Sequence, residues 1–103
     1  MEISNYTPLV DIQKELGSRI KDERIAFNLT QEEMARKSGV SLRTVVNLEN
    51  GEDVKASSLF RVLQVLNLLG NVDVLVNKRL ISPYDIEKYH HKKYRVRKSK
   101  SKY

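Results

Sequence analysis

The chain has 103 residues, of which 40% are hydrophobic and 31% charged, as expected for one small globular domain with a modest core. It has no cysteine, which excludes disulfides, thiolate metal sites and cysteine nucleophiles. No secretory signal is visible, and no stretch approaches the ~20 apolar residues that span a bilayer, so we expect a soluble cytoplasmic protein without membrane partners.

The net charge of +6 is unevenly placed along the chain. Residues 1–77 carry nine Lys/Arg against eleven Asp/Glu, a net charge of −2. Residues 78–103 carry ten against two, a net charge of +8. The basic excess therefore belongs to the C-terminal quarter, and the rest must be interpreted from its motifs.

The first predicted helix begins after Thr7-Pro8, since Thr is a favoured N-cap and Pro suits the first helical position. It extends to about Phe27-Asn28 and contains Gly17, which is unfavourable inside a helix. Its apolar side chains recur every four residues, as expected for one buried stripe, at Ile12, Leu16 and Ile20.

Two shorter helices are predicted next. Thr30 and Glu33 have the spacing of a capping box, so a second helix begins there and ends at Ser38-Gly39. Ser41 is the expected N-cap of a third helix, which ends at Asn50-Gly51. The residues expected to face the core from these two helices are Met34, Ala35, Val45 and Leu48.

A fourth helix is predicted over residues 57–68, after a polar loop at residues 52–56. Its apolar residues recur every three or four positions, which indicates a core-facing stripe that Phe60 and Val65 widen. The stripe consists of Leu59, Val62, Leu63, Leu66 and Leu69.

Beyond Gly70 the pattern of apolar residues changes. Val72, Val74 and Val76 occupy alternate positions, which predicts a short strand near residues 72–77 with Leu80 as its furthest end. A lone strand leaves its backbone groups unpaired, so it needs a partner strand.

The last residues form a basic tail. Ser82-Pro83 again resembles a helix start, and disorder is expected from about Tyr94. The chain is therefore divided into a domain at residues 1–81 and a tail at residues 82–103 that is partly helical and then disordered. Three roles stay open for the tail: a solvated segment, nonspecific attraction to phosphate, and docking to a partner protein.

The middle of the chain has the features of a helix-turn-helix, in which two short helices are joined by a three- or four-residue turn containing glycine. The first helix needs a small residue where the second crosses it, and the second needs apolar anchors on its inner face. The chain supplies these features at consistent spacing through Ala35, Gly39, Val40, Val45 and Leu48.

Residues 16–69 resemble the phage-repressor/Cro-type (xenobiotic-response-element) helix-turn-helix family, most specifically in the blocks LTQEEMARKSGVS and NLENG. The resemblance implies a mainly α, lambda-repressor-like helical bundle. It also implies that the third helix enters the major groove of double-stranded operator DNA, with two half-sites about one turn apart. The implied function is a sequence-specific transcriptional regulator, expected to be a repressor in the bacterial cytoplasm.

The segment LNLLGNVDVLV narrows the resemblance to HipB-like antitoxins, in which a short strand pairs with its copy across a homodimer. This arrangement would give the strand of Val72, Val74 and Val76 its missing partner. The later SPYDIEKYHHKKYRVRK is similar to the tail of such relatives. The resemblance implies a kinase-like, HipA-like toxin as a partner and repression of the shared operon.

The outward face of the third helix holds the candidates for reading bases. Arg suits guanine O6 and N7, Asn suits adenine N6 and N7, and Thr or an aliphatic group can contact the thymine methyl. Within the resemblance, the candidates for base contacts are Leu42, Arg43, Thr44, Val46 and Asn47. Without the motif, an ordinary solvated helix face would explain the same residues.

The resemblance also implies phosphate contacts from helix ends and from the loop after the third helix. The candidates are Gln31, Ser41, Asn50, Lys55 and Ser57. Arg24 and Glu49 match a structural ion pair between the first helix and the end of the recognition helix, with a phosphate contact as a further role for Arg24.

Catalysis and cofactors are not expected. His90 and His91 are adjacent, and no cysteine or carboxylate cluster completes a metal shell, so no metal site is predicted. No phosphate-binding loop or nucleophile–base set is present. A protein-interaction module that neutralises a toxin or bridges proteins stays open as the alternative, whereas an RNA or membrane-surface binder lacks a stacking module and an amphipathic basic helix.

Overall fold

The computed structural model describes residues 1–76, which form five α-helices and one 3-10 turn. The helices are α1 (Leu9–Ala26), α2 (Gln31–Ser38), α3 (Leu42–Glu49), α4 (Ala56–Val65) and α5 (Val72–Leu75), and the 3-10 turn at Leu69–Asn71 lies between α4 and α5. Residues 1–76 contain no β-strand. The expected helical helix-turn-helix domain is therefore confirmed.

Both ends of α1 differ slightly from the sequence expectation. Pro8, and not Thr7, occupies the N-cap position, so the helix begins one residue later than predicted. Thr7 Oγ1 instead accepts a hydrogen bond from the Ser4 amide at 2.9 Å. The helix ends at Ala26, and Asn28 then takes a left-handed φ of 61°, which Asn tolerates better than most residues.

Side-chain caps define where α2 and α3 begin. Thr30 Oγ1 accepts a hydrogen bond from the Glu33 amide at 3.0 Å, and Glu33 Oε1 accepts one from the Thr30 amide at 2.8 Å. The predicted capping box is thus confirmed, and the bond from the Thr30 amide lowers the pKa of the Glu33 carboxyl. At α3, Ser41 Oγ accepts a hydrogen bond from the Thr44 amide at 3.0 Å.

The turn between α2 and α3 spans only residues 39–41. Gly39 has a φ of 78°, in the left-handed region where a side chain would be strained. Its amide and that of Val40 both donate to the carbonyl oxygen of Ala35, at 2.9 and 3.2 Å. Because the turn is this tight, the end of α2 determines where α3 begins.

The core lies where the first four helices meet. Met34, Val45, Val62 and Leu66 are almost wholly buried, and Ile20, Ala35 and Leu48 complete the buried cluster. All four residues that were predicted to face inward from α2 and α3 are in this cluster. Phe60, which was predicted to widen the buried stripe of α4, is instead 40% exposed.

The fourth helix is shorter than the predicted span of residues 57–68, since it ends at Val65. Asn67 has a left-handed φ of 62°, which is incompatible with a continuing helix. The Leu68 amide then donates back to the Leu63 carbonyl oxygen at 2.8 Å. Leu68 therefore packs against the core from outside the helix.

The prediction of a strand near residues 72–77 is wrong for residues 72–76, the part that the structure describes. Val72–Leu75 is a helical turn that continues the 3-10 turn, and the hydrogen bond from the Asn71 amide to the Leu68 carbonyl oxygen is local. Local bonds of this kind need no partner strand. Val74 and Val76, which were expected to cover a core as a dimer strand, are 65% and 87% exposed.

Several expectations fall on residues 77–103 and so lie outside the described residues. They are the extension of the strand to Leu80, the helix at Ser82-Pro83 and the disorder from Tyr94.

Candidate nucleic-acid interface

A glycine in α1 allows α3 to approach closely. A Cβ atom on Gly17 would overlap the carbonyl oxygen of Leu48 and would lie 2.8 Å from that of Glu49, at the C-terminal end of α3. Only a residue without a side chain permits this separation between the two backbones. The sequence showed Gly17 as an unfavourable helix residue but did not show this contact, because its partner lies in a distant helix.

A buried ion pair fixes the same end of α3. Arg24 Nε donates to Glu49 Oε2 at 2.7 Å, and Arg24 Nη2 donates to Glu49 Oε1 at 3.2 Å. Arg24 Nη1 donates to the Leu29 carbonyl oxygen at 2.7 Å. The two side chains are only 10% and 2% exposed. All three guanidinium nitrogens of Arg24 are therefore engaged within the protein, and the phosphate contact that the resemblance implied stays a prediction.

Gln31 extends this cluster to α2. Its Nε2 donates to Glu49 Oε1 at 3.0 Å, so the buried carboxylate receives three hydrogen bonds from two helices. Gln31 is half-buried at the first position of α2. The second N–H of its amide can still point outward, so Gln31 can link the ion pair to a phosphate at the surface.

The outward face of α3 contains the five candidates for base contacts. Leu42 is 42% exposed and Arg43 is exposed, whereas the other three are half-buried: Thr44, Val46 and Asn47. Neither Arg43 nor the side chain of Asn47 has an ion-pair or hydrogen-bond partner within residues 1–76. No group within residues 1–76 therefore occupies their donors and acceptors, which are available to a ligand.

Thr44 differs from its neighbours because its hydroxyl is already engaged. Its Oγ1 lies 2.8 Å from Ser41 Oγ. Ser41 Oγ also accepts a hydrogen bond from the Thr44 amide, so the two residues form a local cap. With its hydroxyl engaged in this cap, Thr44 would offer DNA mainly its methyl group, which suits the C5-methyl of thymine.

The candidates for phosphate contacts lie at helix ends, as expected. Ser41 and Asn50 are the exposed N-cap and C-cap residues of α3. Lys55 is the exposed N-cap of α4, where no side chain caps the helix, and Ser57 is exposed in the first turn. The Ser58 amide donates to the Lys55 carbonyl oxygen at 3.0 Å, whereas the Ala56 and Ser57 amides have no partner within residues 1–76 and are open to an anion.

Two acidic residues, Glu52 and Asp53, lie between the candidate residues of α3 and those of α4. Asp53 Oδ1 accepts a hydrogen bond from Gln13 Nε2 at 2.6 Å, which ties this loop to α1. The Glu52 amide donates to the Asn47 carbonyl oxygen at 2.8 Å. The Gln13–Asp53 contact positions the loop, and neither residue is a candidate for DNA contact. No sequence signal indicated this contact.

Other kinds of site are absent from the part of the chain that the structure describes. Residues 1–76 contain no group of His, Asp and Glu residues that could hold a metal ion. Among the helices of the same residues, none is both long and apolar enough to cross a membrane.

Known proteins are similar to the part of the chain that contains this candidate interface. A helix-turn-helix family model matches residues 20–73, which span the end of α1 through the start of α5. An uncharacterized HTH-type transcriptional regulator of Archaeoglobus fulgidus is 41% identical over 53 residues, which cover 50% of this chain and 75% of that protein. The uncharacterized HTH-type transcriptional regulator y4mF of Sinorhizobium fredii is 39% identical over 62 residues, which cover 59% and 79% of the two chains.

Proposed function

Because this chain belongs to the helix-turn-helix family of DNA-binding transcriptional regulators, we propose that it represses transcription by inserting α3 into the major groove of an operator. One observation carries this proposal. The inner face and C-terminal end of α3 are fixed by the core and by the Arg24–Glu49 pair, while the outward Arg43 and Asn47 have no partner within residues 1–76. A rigid helix with unpaired polar groups is suited to reading base edges.

The test begins with duplex DNA selected from a random pool by the parent protein. Arg43→Ala and Asn47→Ala should each weaken binding by roughly 1–3 kcal/mol and relax the preference at one or two base pairs. The fold should persist, because neither side chain is part of the buried core. Binding isotherms at fixed salt give the affinities, and competition with single-base variants of the duplex gives the preference.

Lys21→Ala is the matched control, since it also removes one positive charge but lies on the exposed part of α1. Its loss of affinity should be small and equal for all sequences. If Arg43→Ala and Asn47→Ala bound the selected duplex as tightly as Lys21→Ala does, α3 would not be the reading element.

We also propose that the repressor acts as a homodimer, since operators of this class contain two half-sites about one turn apart. The exposed side chains of Val74 and Val76, 65% and 87% exposed, support an apolar contact at this end of the molecule. The contact would join two helical turns and would not be a pair of strands.

An antitoxin role with a kinase-like toxin remains a narrower proposal. The sequence support for this role was the strand predicted in the segment that ends at Val76. Because Val72–Leu75 is helical, this support for the HipB-like subgroup is lost. The alternative of a protein-interaction module is less favoured, because the α3 face has polar side chains beside Leu42 and Val46. Co-purification with the product of a neighbouring kinase-like gene, tested with and without operator DNA, would distinguish the two roles.

A further inference from the structure

The surface of the molecule has an apolar groove that contains no residue of α2 or α3. Its volume is about 500 Å³, and it is bordered by α1, by α4 and by the segment from Leu68 to Leu75. Because none of its lining residues belongs to α2 or α3, a ligand in this groove would leave the candidate DNA-binding face free. The apolar lining includes Leu16, Ile20, Leu59, Phe60, Leu63 and Leu75.

Two large apolar side chains that line this groove are exposed. Phe60 is 40% exposed and Leu75 is 73% exposed, although both line it. Exposed apolar side chains that share one groove can be covered by an apolar segment, which removes them from water.

One edge of the groove is acidic. Arg19, Asp22 and Glu23 all line this edge from α1. The positive charge of Arg19 is already engaged, because its Nε donates to Glu15 Oε2 at 3.0 Å and its Nη2 donates to the Met1 carbonyl oxygen at 2.7 Å. Asp22 and Glu23 have no ion-pair partner within residues 1–76, so this edge attracts a positively charged occupant.

The chain itself continues from the wall of this groove with suitable residues. Val72 and Leu75 line it, and Val76 is the last described residue. Lys78 and Arg79 follow, and then the apolar residues Leu80, Ile81, Tyr84 and Ile86. Four residues span at most about 14 Å when fully extended, so the tether from Val76 to Leu80 is short.

We propose that residues 80–86 occupy the groove of their own chain, with their apolar side chains against α4 and with Lys78 and Arg79 beside Asp22 and Glu23. A tether this short gives the segment an effective concentration in the millimolar range, well above that of a second copy at micromolar concentration. A second copy would also place its own acidic edge near the first, with both Arg19 side chains already engaged.

Paramagnetic relaxation in the full chain tests this directly. The sequence has no cysteine, so Ser82→Cys provides a single attachment site for a nitroxide that avoids the proposed apolar contacts. Amide signals of Phe60, Leu63 and Asp22 should broaden, and those of α2 should not. Ser101→Cys is the matched control, and its nitroxide should leave the groove signals sharp. Broadening that is uniform, or that is strongest in α2 and α3, would overturn the proposal.

Two further measurements separate the remaining outcomes. When isotope-labelled chains without nitroxide are mixed with unlabelled Ser82→Cys chains that carry it, both with Val74→Lys and Val76→Lys to dissociate the proposed dimer, the groove signals should stay sharp. Broadening in that mixture would assign the groove to a second copy and would overturn the proposal.

Asp22→Lys should lower the ratio of docked to undocked chains about two- to fivefold, as expected for an exposed ion pair, whereas Asp11→Lys, outside the groove, should not. Equal broadening in the Asp22→Lys variant and the parent would contradict the proposed pairing.

Discussion

Gly17 sets the distance between α1 and α3. In an open helix, alanine is more favourable than glycine by up to ~1 kcal/mol. Here the added Cβ would meet backbone atoms of Leu48 and Glu49, which cannot rotate away as a side chain would. The steric cost should exceed the gain in helix propensity, because overpacking typically costs about 1–3 kcal/mol.

Gly17→Ala should therefore lower the free energy of unfolding, as measured by urea denaturation, and should also weaken operator binding by displacing α3. Ser18→Ala is the matched control, since the neighbouring residue is exposed and should gain slightly in stability. A Gly17→Ala variant as stable as Ser18→Ala would show that the two helices can separate without cost.

The buried pair of Arg24 and Glu49 allows a second prediction at this scale. Glu49→Ala leaves the guanidinium of Arg24 buried with only the Leu29 carbonyl oxygen as a partner. An uncompensated buried charge costs about 3–5 kcal/mol, so a large drop in the unfolding free energy is expected.

Glu15→Ala provides the contrast, because Glu15 pairs with Arg19 at the surface of α1, where the side chains are 23% and 52% exposed. Exposed pairs contribute at most about 1 kcal/mol. Thermal or urea unfolding of both variants gives the comparison. Similar losses for Glu49→Ala and Glu15→Ala would mean that water reaches the Arg24 guanidinium.

The beginnings of α2 and α3 could be predicted because their signals are local. The capping box of Thr30 and Glu33 and the cap of Ser41 each depend on residues three apart in sequence. The two short helices and the turn between them followed from the same signals, whereas the candidates for DNA contact came from the family resemblance and stay predictions. The contact at Gly17 and the hydrogen bond from Gln13 to Asp53 could not be predicted, because each joins segments more than 30 residues apart.

The prediction for Val72–Leu75 was wrong for a related reason. The three valines fit a period of two, but Val72 and Leu75 also have the helical spacing of three and both line the same groove. Over four residues the two periods cannot be distinguished from sequence. The preceding 3-10 turn at Leu69–Asn71 leads directly into α5, and only the tertiary structure shows this.

The helical turn of α5 leads to a prediction about assembly. Val74 and Val76 are exposed and do not line the groove, so they are available to a second copy. The double variant Val74→Lys, Val76→Lys should shift the protein toward monomer, because like charges would face each other across a two-fold axis. Sedimentation velocity over a range of concentrations would measure this shift.

Val10→Lys on α1 is the control for introducing a charge at another exposed apolar residue, which is 53% exposed. It should leave the dimer unchanged. If Val10→Lys dissociated the dimer and the double variant did not, the subunit contact would lie at the N-terminal end of α1. A parent chain that stays monomeric on operator DNA would contradict the proposed homodimer.

At the scale of the whole molecule, the charge distribution separates two tasks. The part of the chain up to Asn77 has a net charge of −2, so in the proposed complex its attraction to DNA would depend on a few individual groups such as Arg43 and Lys55. The remaining residues have a net charge of +8. Long-range attraction to a polyanion must therefore come mainly from the C-terminal quarter, while base preference is proposed to belong to α3.

This division predicts how binding depends on salt. Replacing the five basic residues of positions 94–103 by Gln should reduce the slope of log affinity against log salt by about 0.9 for each phosphate that is no longer neutralised, without altering the preferred sequence. The five are Arg95, Arg97, Lys98, Lys100 and Lys102. The control exchanges Arg95 and Arg97 for Lys, which keeps the charge and should keep the slope. If the Gln variant kept the parent's slope, these charges would not bind phosphate, and the acidic domain would have to bind its operator through α3 and the ends of its neighbouring helices alone.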